Sequence, residues 1–393
     1  MPKQRNERLL QGVKVVERSR GVAAAYCGRL LGAMGADVIL AEPPEGHLLR
    51  REPPFIPGTP GASALFAYLA AGKQSVVVNL GDDEGRSLLR SLIADAAIFI
   101  DDTPLAERQA DSLDAADLIR QFPNLVHVSV LPFGAHGPKA VWKAHEINAI
   151  HASGEGFLLP NGLSAELFPE RPPLKIYGHF TALQGGVAAT LAALSALWAG
   201  QGQSVDVSVQ DAGLAVAAFA VQRLGDGSLE HRIERSFKYG GVLECRDGFV
   251  EVLTLEERQW TAMVELMGRP SWAADPTLQD PIERGRRGSW INAHIRAWAK
   301  EQTVADAVRR AQQLGVPMAP YNAPADVLRD PHEAVRGLFQ PVHIPGLGLR
   351  PMLVAPFQVD GKPLQLAGGP PQLGQTAAAA DGAATRSMVG ARS

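Results

Sequence analysis

The sequence predicts an α/β protein, with a large Rossmann-like domain around a parallel sheet and a smaller α+β domain. Short apolar runs alternate with helical stretches from residue 13 to residue 130, and this alternation is typical of parallel strands joined by helices. A polar stretch at 225–237 is followed by a hairpin pattern and amphipathic helices, which indicates a second domain at 225–320.

The spacing of apolar residues predicts the elements in chain order. Strands are expected at 13–17, 38–42, 75–80, 96–100, 125–130 and 204–209, with helices at 23–34, 84–93, 112–121, 182–200 and 212–221. The smaller domain is expected to contain a hairpin at 242–253, turning at 246–248, and helices at 256–267, 290–299 and 304–314. Residues 132–173 read as irregular and 375–393 as a disordered tail; long irregular segments often carry functional residues.

Composition and charge exclude several classes of function. The 38 Lys and Arg oppose 41 Asp and Glu, and no long run of either sign offers a surface to nucleic acid. Cys27 and Cys245 are too few for a disulfide framework, which favours a reducing cytoplasm. Residues 1–12 lack the apolar core of a signal peptide. The uncharged stretch 182–200 is rich in Ala and Gly, so we expect a buried helix and no membrane span.

Signals for a resident cofactor are missing from the sequence. The loop at Gly21 lacks the glycine spacing of dinucleotide-binding folds, so no nicotinamide or flavin is predicted. Glu42 stands where such folds carry a ribose-binding acid, but we interpret it as a surface residue at a strand end. Apart from His145 and His151, the histidines show no spacing typical of metal ligands. We therefore predict no metal and no tightly bound cofactor.

A set of motifs runs in order from about Leu9 to Gly374. They are LLQGVKVVE, LLGAMGADVILAEPPEG, AAGKQSVVVNL, FPNLVHVSVLPFGAHGP, WKAHEINAIHASG, GQGQSVDVSVQDA, GVPMAPYNAPADVLRDPH and VRGLF. In these motifs the chain resembles the class III CoA-transferases, which include formyl-CoA transferase, the carnitine CoA-transferases and α-methylacyl-CoA racemase. The resemblance implies a large CoA-binding domain built from both chain ends, here 1–224 and 321–374, and two subunits interlocked as linked rings.

The resemblance also implies a nucleophile that this chain lacks. Family transferases use an aspartate just before the Ala-rich helix. Its carboxylate attacks the acyl-CoA thioester to form a mixed anhydride, and the CoA thiolate then gives an aspartyl thioester that the acceptor acid resolves. The matching position here is Thr181, and YGHFTALQGG around it contains no Asp or Glu. The nearest upstream carboxylates are Glu166 and Glu170.

Three other residues are candidate acids or bases. By resemblance, His145 matches the catalytic histidine of the racemase branch and Glu146 matches an active-site glutamate of the transferases. His179 lies just before Thr181 and is a second candidate base. An imidazole suits the removal of a proton α to a thioester carbonyl near pH 7. The alternative interpretation is that both histidines are solvent-facing or structural.

Recognition of CoA is expected to use basic side chains and a helix N-terminus, which suit its phosphates. Val22 and Ala23 open the first helix where the family wraps adenine and ribose. Arg50 and Lys73 match an arginine and a lysine of family motifs, with His47 in place of the family's Asp. With Arg108 and Lys143, which fall near further family contacts, the candidate CoA-binding residues are Val22, Ala23, Arg50, Lys73, Arg108 and Lys143.

Three functions stay open on the sequence alone. The first is transfer of CoA from an acyl-CoA to a carboxylic acid, through a replacement nucleophile or by direct attack of the acceptor. The second is a cofactor-free acyl-CoA racemase, isomerase or lyase that uses His145, Glu146 or His179. The third is a non-catalytic subunit paired with an Asp-bearing paralogue. CoA or acyl-CoA is a substrate in the first two, whereas the subunit of the third binds CoA or only completes the interlocked fold. The partner chain is identical or the paralogue.

Overall fold

The computed structural model describes residues 8–59, 61–159, 170, 174–217, 239–254 and 256–376. The chain divides into two compact units, the larger formed by residues 1–156, 175–219 and 331–393 and the smaller by 157–174 and 220–330. The domain limits drawn from the sequence stay a prediction. The polar stretch 225–237 lies outside the described residues, as does the expected disordered tail beyond Thr376.

The larger unit contains a six-stranded parallel sheet of strand order β3-β2-β1-β4-β5-β6, as in dinucleotide-binding folds. Its strands are β1 (Lys14–Arg18), β2 (Asp37–Glu42), β3 (Gln74–Val77), β4 (Ile98–Asp101), β5 (Val126–Leu131) and β6 (Gln203–Ser208). Val15 of β1 lies opposite Val38 of β2 and Ile98 of β4, and all pairs run parallel. The predicted parallel α/β architecture is confirmed.

Helices cover both faces of the sheet, which explains why its strands are apolar runs. The helices between the strands and directly after β6 are α1 (Val22–Ala33), α2 (Ala64–Ala70), α3 (Asp83–Ala94), α4 (Leu105–Arg108), α5 (Ala115–Gln121), α6 (Glu146–Ala152), α7 (Phe180–Ala199) and α8 (Val209–Val216). Val15 packs with residues of α1 and α7, whereas the next residue, Val16, packs with residues of α3 and α5. Helix α6 lies inside the stretch that the sequence indicated as irregular.

Glycine allows α7 to pack closely on α1. A Cβ on Gly186 would lie 2.7 Å from the carbonyl oxygen of Ala23. The predicted buried helix is confirmed for this face, whereas on the opposite face Leu191 is 67% and Trp198 is 93% exposed. With a mean hydropathy of 1.5, α7 is also long and apolar enough to cross a membrane by length and composition alone.

The smaller unit is built on a three-stranded antiparallel sheet, β7-β8-β9. Strands β7 (Gly241–Cys245) and β8 (Gly248–Val252) form the predicted hairpin, and β9 (Met318–Pro320) pairs with β8. The helices are α9 (Glu257–Leu266), α10 (Pro281–Arg286), α11 (Gly288–Lys300), α12 (Val304–Leu314) and α13 (Pro324–Val327). Trp260 and Ile291 belong to their common core, which confirms the predicted α+β character.

The last part of the described chain returns to the larger unit. It contains α14 (Pro331–Arg336), the antiparallel strands β10 (Phe339–Ile344) and β11 (Gly348–Leu353), and the short strands β12 (Gln358–Val359) and β13 (Lys362–Pro363). Sequence patterns missed the β10–β11 hairpin because each strand contains a proline, which argues against a strand interior. The two prolines, Pro341 and Pro351, lie opposite each other.

Candidate active site

A cavity of about 500 Å³ lies beyond the carboxyl ends of β1, β2 and β3. Ligands of open parallel sheets bind at this edge, so the cavity is the candidate ligand site. The loops after these strands contribute most of its wall. Its polar lining comprises Arg18, Ser19, Arg20, Glu45, His47, Asn79, Glu107 and Asp111.

The candidate CoA ligand Lys73 lies inside the protein. Its Nζ is 2.6 Å from Oε2 of Glu17 and donates to the carbonyl oxygen of Ala25 at 2.8 Å. The two side chains of this ion pair are 1% and 0% exposed. Burial raises the pKa of Glu17 and lowers that of Lys73, while each partner's charge opposes the shift. The Lys73 charge is therefore paired inside the protein, and its expected role in CoA binding stays a prediction.

A chain of hydrogen bonds leads from this ion pair to the cavity. Oγ of Ser19 donates to Oε1 of Glu17 at 2.7 Å and lies 2.9 Å from Nε2 of His47. Nδ1 of His47 accepts from the backbone N–H of Leu49 at 3.0 Å, so we assign the proton to Nε2. Burial lowers the pKa of His47 to about 4, which keeps the ring neutral at pH 7. Since Nε2 is already protonated, His47 cannot act as a base toward Ser19.

Arg50 is held by Glu42 at the end of β2. The Nε and Nη2 groups of Arg50 each donate to one carboxylate oxygen of Glu42 at 2.7 Å. The backbone N–H of His47 and the hydroxyl of Ser75 also donate to this carboxylate. Glu42 is 0% exposed, so the prediction of a surface residue is wrong. The burial is tolerated because these donors satisfy the charge.

The other candidate CoA-binding residues do not join this network. Arg108 is buried and donates to Oγ of Ser129 at 2.8 Å. Lys143 is exposed in the loop after β5. Val22 and Ala23 are buried at the start of α1, where they pack in two different apolar clusters. The structure therefore connects Arg50 with Lys73 through intervening polar side chains and places the remaining candidates elsewhere.

A carboxylate binds the backbone just before α1. Asp102 accepts from the backbone N–H groups of Arg20 and Gly21, at 2.7 Å for Gly21. Asp102 thus binds two N–H groups that precede Val22, the first residue of α1, and the CoA-binding role expected of Val22 and Ala23 stays a prediction. Burial raises the pKa of Asp102 to about 7, although both N–H groups favour its charged form.

We expect Asp102→Asn to flatten the pH dependence of stability. An unfolded aspartate titrates near pH 3.9, whereas Asp102 titrates at about 7 in the folded protein. Between these values the folded state keeps a proton that the unfolded state loses, so stability falls as the pH rises. Urea unfolding at about pH 4.5 and about pH 7 measures this fall. An equal fall in the native protein and the variant would contradict the raised pKa.

Thr181 lies in the first turn of α7 with its side chain 1% exposed. A Cβ on Gly213 would lie 2.8 Å from Cγ2 of Thr181 and 2.9 Å from Cβ of Ser153, so the three residues are closely packed. The backbone N–H groups of Thr181 and Ala182 donate to Oε1 and Oε2 of Glu146 at 2.7 and 3.1 Å. Glu146 thus joins the N-terminus of α6 to that of α7 and occupies the N–H groups next to the missing nucleophile.

The candidate histidines precede the two helices that this carboxylate joins. His145 precedes α6 and is exposed, and its backbone N–H donates to Oδ1 of Asn148 at 2.9 Å. His179 precedes α7 and is partly buried. The structure therefore brings Glu146 and Thr181 into contact and leaves the ring of His145 accessible. No group of three or more His, Cys, Asp or Glu side chains suited to a metal ion occurs in the described part of the chain.

Comparisons with known proteins agree with this fold. The family model of CoA-transferase family III matches residues 10–377. The chain belongs to this family. A probable CoA-transferase of Mycobacterium tuberculosis is 30% identical over 346 residues, which are 85% of this chain and 42% of that protein. This chain therefore spans less than half the length of that relative.

Two further similarities bear on this member of CoA-transferase family III. A succinyl-CoA:(R)-benzylsuccinate CoA-transferase subunit of Thauera aromatica is 26% identical over 376 residues, covering 90% of this chain and 89% of that one. The crystal structure of a CaiB/BaiF family protein from Brucella suis has a TM-score of 0.81 and 28% identity, covering 95% and 98% of the two chains. The family resemblance that the motifs carried is confirmed.

Several residues around the cavity of this family III protein were missed by sequence reasoning. Glu17, Ser19 and Asp102 were not singled out, and Glu42 was placed at the surface. A usable signal existed, because β1, β2 and β4 each carry an acid at or next to the end of an apolar run. These acids, Glu17, Glu42 and Asp101, are all 0% exposed.

Proposed function

We propose that this protein binds an acyl-CoA and supports transfer of its CoA to a carboxylic acid, as the nucleophile-free subunit of a pair with an Asp-bearing relative. The observation that carries the proposal is the closed packing of Thr181, 1% exposed, where the family chemistry needs an accessible carboxylate. A hydroxyl group attacking a thioester gives an ester and not an anhydride. The covalent steps therefore need a carboxylate from another place.

Glu146 is poorly suited to replace the aspartate. Both of its oxygens accept backbone N–H groups at the N-terminus of α7, which stabilises the anion and reduces its nucleophilicity. Of the upstream carboxylates, Glu170 is exposed and Glu166 lies outside the described residues. A partner chain is the simplest remaining source of the nucleophile. The relative from Thauera aromatica is itself named as a subunit.

The exposed face of α7 supports pairing with another chain. Val187, Leu191 and Trp198 form one stripe along this face and are 46%, 67% and 93% exposed. Large apolar side chains grouped on a surface are typical of interaction sites. A second copy of this chain would cover the stripe but would supply no aspartate. An Asp-bearing relative would cover the stripe and also supply the aspartate.

A second candidate function is proton transfer at the α carbon of an acyl-CoA. The exposed imidazole of His145 supports it, because a base must reach the thioester. The product would be a racemised or isomerised thioester with the same mass in ordinary water. In heavy water the exchanged proton would appear as deuterium in the thioester.

Mass spectrometry of thioesters in heavy water tests both candidates. The pure protein is incubated with acyl-CoAs, including succinyl-CoA, and carboxylic acids, alone and with an Asp-bearing family member from the same source. We expect a new thioester only from the mixture, and native mass spectrometry should detect the two chains in one complex. A new thioester from the protein alone would overturn the subunit proposal. Deuterium gained without a new thioester, and lost in His145→Ala, would establish the second candidate.

A further inference from the structure

Two arginines of the candidate cavity already have carboxylate partners. Nη2 of Arg20 lies 2.7 Å from Oε2 of Glu107, and Nη2 of Arg18 lies 3.0 Å from Oδ2 of Asp111. All four side chains line the cavity. A phosphate entering here would meet guanidinium groups that internal acids already hold.

The two ion pairs differ in how firmly they are fixed. Arg18 and Asp111 are 15% and 21% exposed, and Arg18 also donates to Oγ1 of Thr103. Arg20 and Glu107 are 36% and 49% exposed, and the Arg20 guanidinium donates to no other residue in the described part of the chain. Exposed ion pairs contribute little to stability, so the Arg20 pair separates at small cost.

We propose that Glu107 is a built-in competitor of the phosphate groups of the ligand. It holds Arg20 in the cavity and releases it to a phosphate. This inference rests on the proposed function, since CoA is the phosphate-bearing ligand. A phosphate offers more charge than a carboxylate and matches the guanidinium fork equally well, so it displaces the acid. Glu107 then turns to water, because it lies on the short helix α4 with its side chain half exposed.

The positive charges around Glu107 suit replacement of its carboxylate by a phosphate. Arg20 lowers the pKa of Glu107, with smaller contributions from Arg18 and Lys143, so the carboxylate is ionised at pH 7. The same three positive charges would remain for an incoming phosphate once Glu107 has moved. A second glutamate, Glu45, also lines the cavity but forms no ion pair with a described residue, so it can serve as a control for Glu107.

Calorimetric titration of the full chain with CoA, and separately with adenosine 3′,5′-bisphosphate, tests the inference. Removing the competitor in Glu107→Gln should tighten binding about three- to fivefold. Glu45→Gln removes the same charge from the same cavity and should change binding less than about twofold. In an Arg20→Gln background, Glu107→Gln should give no more than this control effect, since the pair is already broken.

The possible results separate the inference from the proposed function. Equal effects of Glu107→Gln and Glu45→Gln would overturn the inference while leaving CoA binding intact. If adenosine 3′,5′-bisphosphate binds with the Glu107 effect and CoA does not bind, the inference stands and the proposed function is wrong. If neither probe binds the folded protein, both are wrong.

Discussion

Lys73→Met should lower the free energy of unfolding by about 3–5 kcal/mol, the usual cost of leaving one member of a buried ion pair alone. The ammonium and the carboxylate of Glu17 are 2.6 Å apart, with exposed fractions of 1% and 0%. Methionine can fill the space of the lysine stem but donates nothing to the carboxylate. Glu17 then keeps the hydroxyl of Ser19 as a side-chain donor.

The pH dependence of the loss identifies its cause. Without Lys73 the pKa of Glu17, which burial already raises, should rise further. A raised folded pKa means that stability is lost as the pH increases from the unfolded value near 4.3, so the variant should lose more at about pH 8 than at about pH 5. Urea unfolding at both pH values measures the loss of stability. The double variant Lys73→Met/Glu17→Gln should recover much of that loss.

A surface ion pair provides the matched comparison. Lys14 pairs with Asp95, and their side chains are 53% and 72% exposed. Lys14→Met should therefore cost no more than about 1 kcal/mol. If Lys73→Met cost as little as Lys14→Met but abolished CoA binding, Lys73 would be the phosphate ligand that the family resemblance implies, and the internal role would be wrong.

The sheet could be predicted because each parallel strand is a short apolar run between helical stretches, such as β5, whose six residues are all buried. A strand that is buried on both faces of the sheet is an unbroken apolar run, so it can be recognised in the sequence. The β10–β11 hairpin could not be predicted in this way, since Pro341 and Pro351 interrupt its pattern. Helix α2 is short and begins where the hydroxyl of Ser63 accepts from the backbone N–H of Phe66, a contact that apolar spacing does not reveal.

The candidate site was predicted less well because the states of its charges depend on partners far away in sequence. Lys73 was a candidate ligand as a basic residue in a motif, but its distance from Glu17 is a property of the fold. Asp102 follows β4 and binds the backbone of Arg20, which follows the neighbouring strand β1 but lies far away in sequence. The motifs could place Thr181 in the missing nucleophile's position, but only the packing of α8 shows that its side chain is enclosed.

Thr181→Asp should destabilise the protein more than Thr181→Asn, and the difference should grow with pH. The new carboxylate would enter a site that is 1% exposed, close to the charge of Glu146 on the neighbouring backbone N–H groups. Burial and the like charge both raise its pKa. The difference should therefore be small near pH 4, where the acid is protonated to a large extent in both states, and increase toward pH 8, where only the unfolded state ionises freely. Asparagine has the same shape, so the comparison isolates the charge.

The same two variants test whether position 181 lacks only its nucleophile. A mixed anhydride requires an ionised carboxylate that an acyl-CoA can reach, and a buried acid with a raised pKa meets neither requirement at pH 7. We therefore expect no new thioester from either variant alone, measured by mass spectrometry at about pH 7. If Thr181→Asp formed a new thioester and Thr181→Asn did not, the side chain would be accessible to substrate. The chain would then carry a complete transferase site apart from one carboxylate, and the subunit proposal would lose its supporting observation.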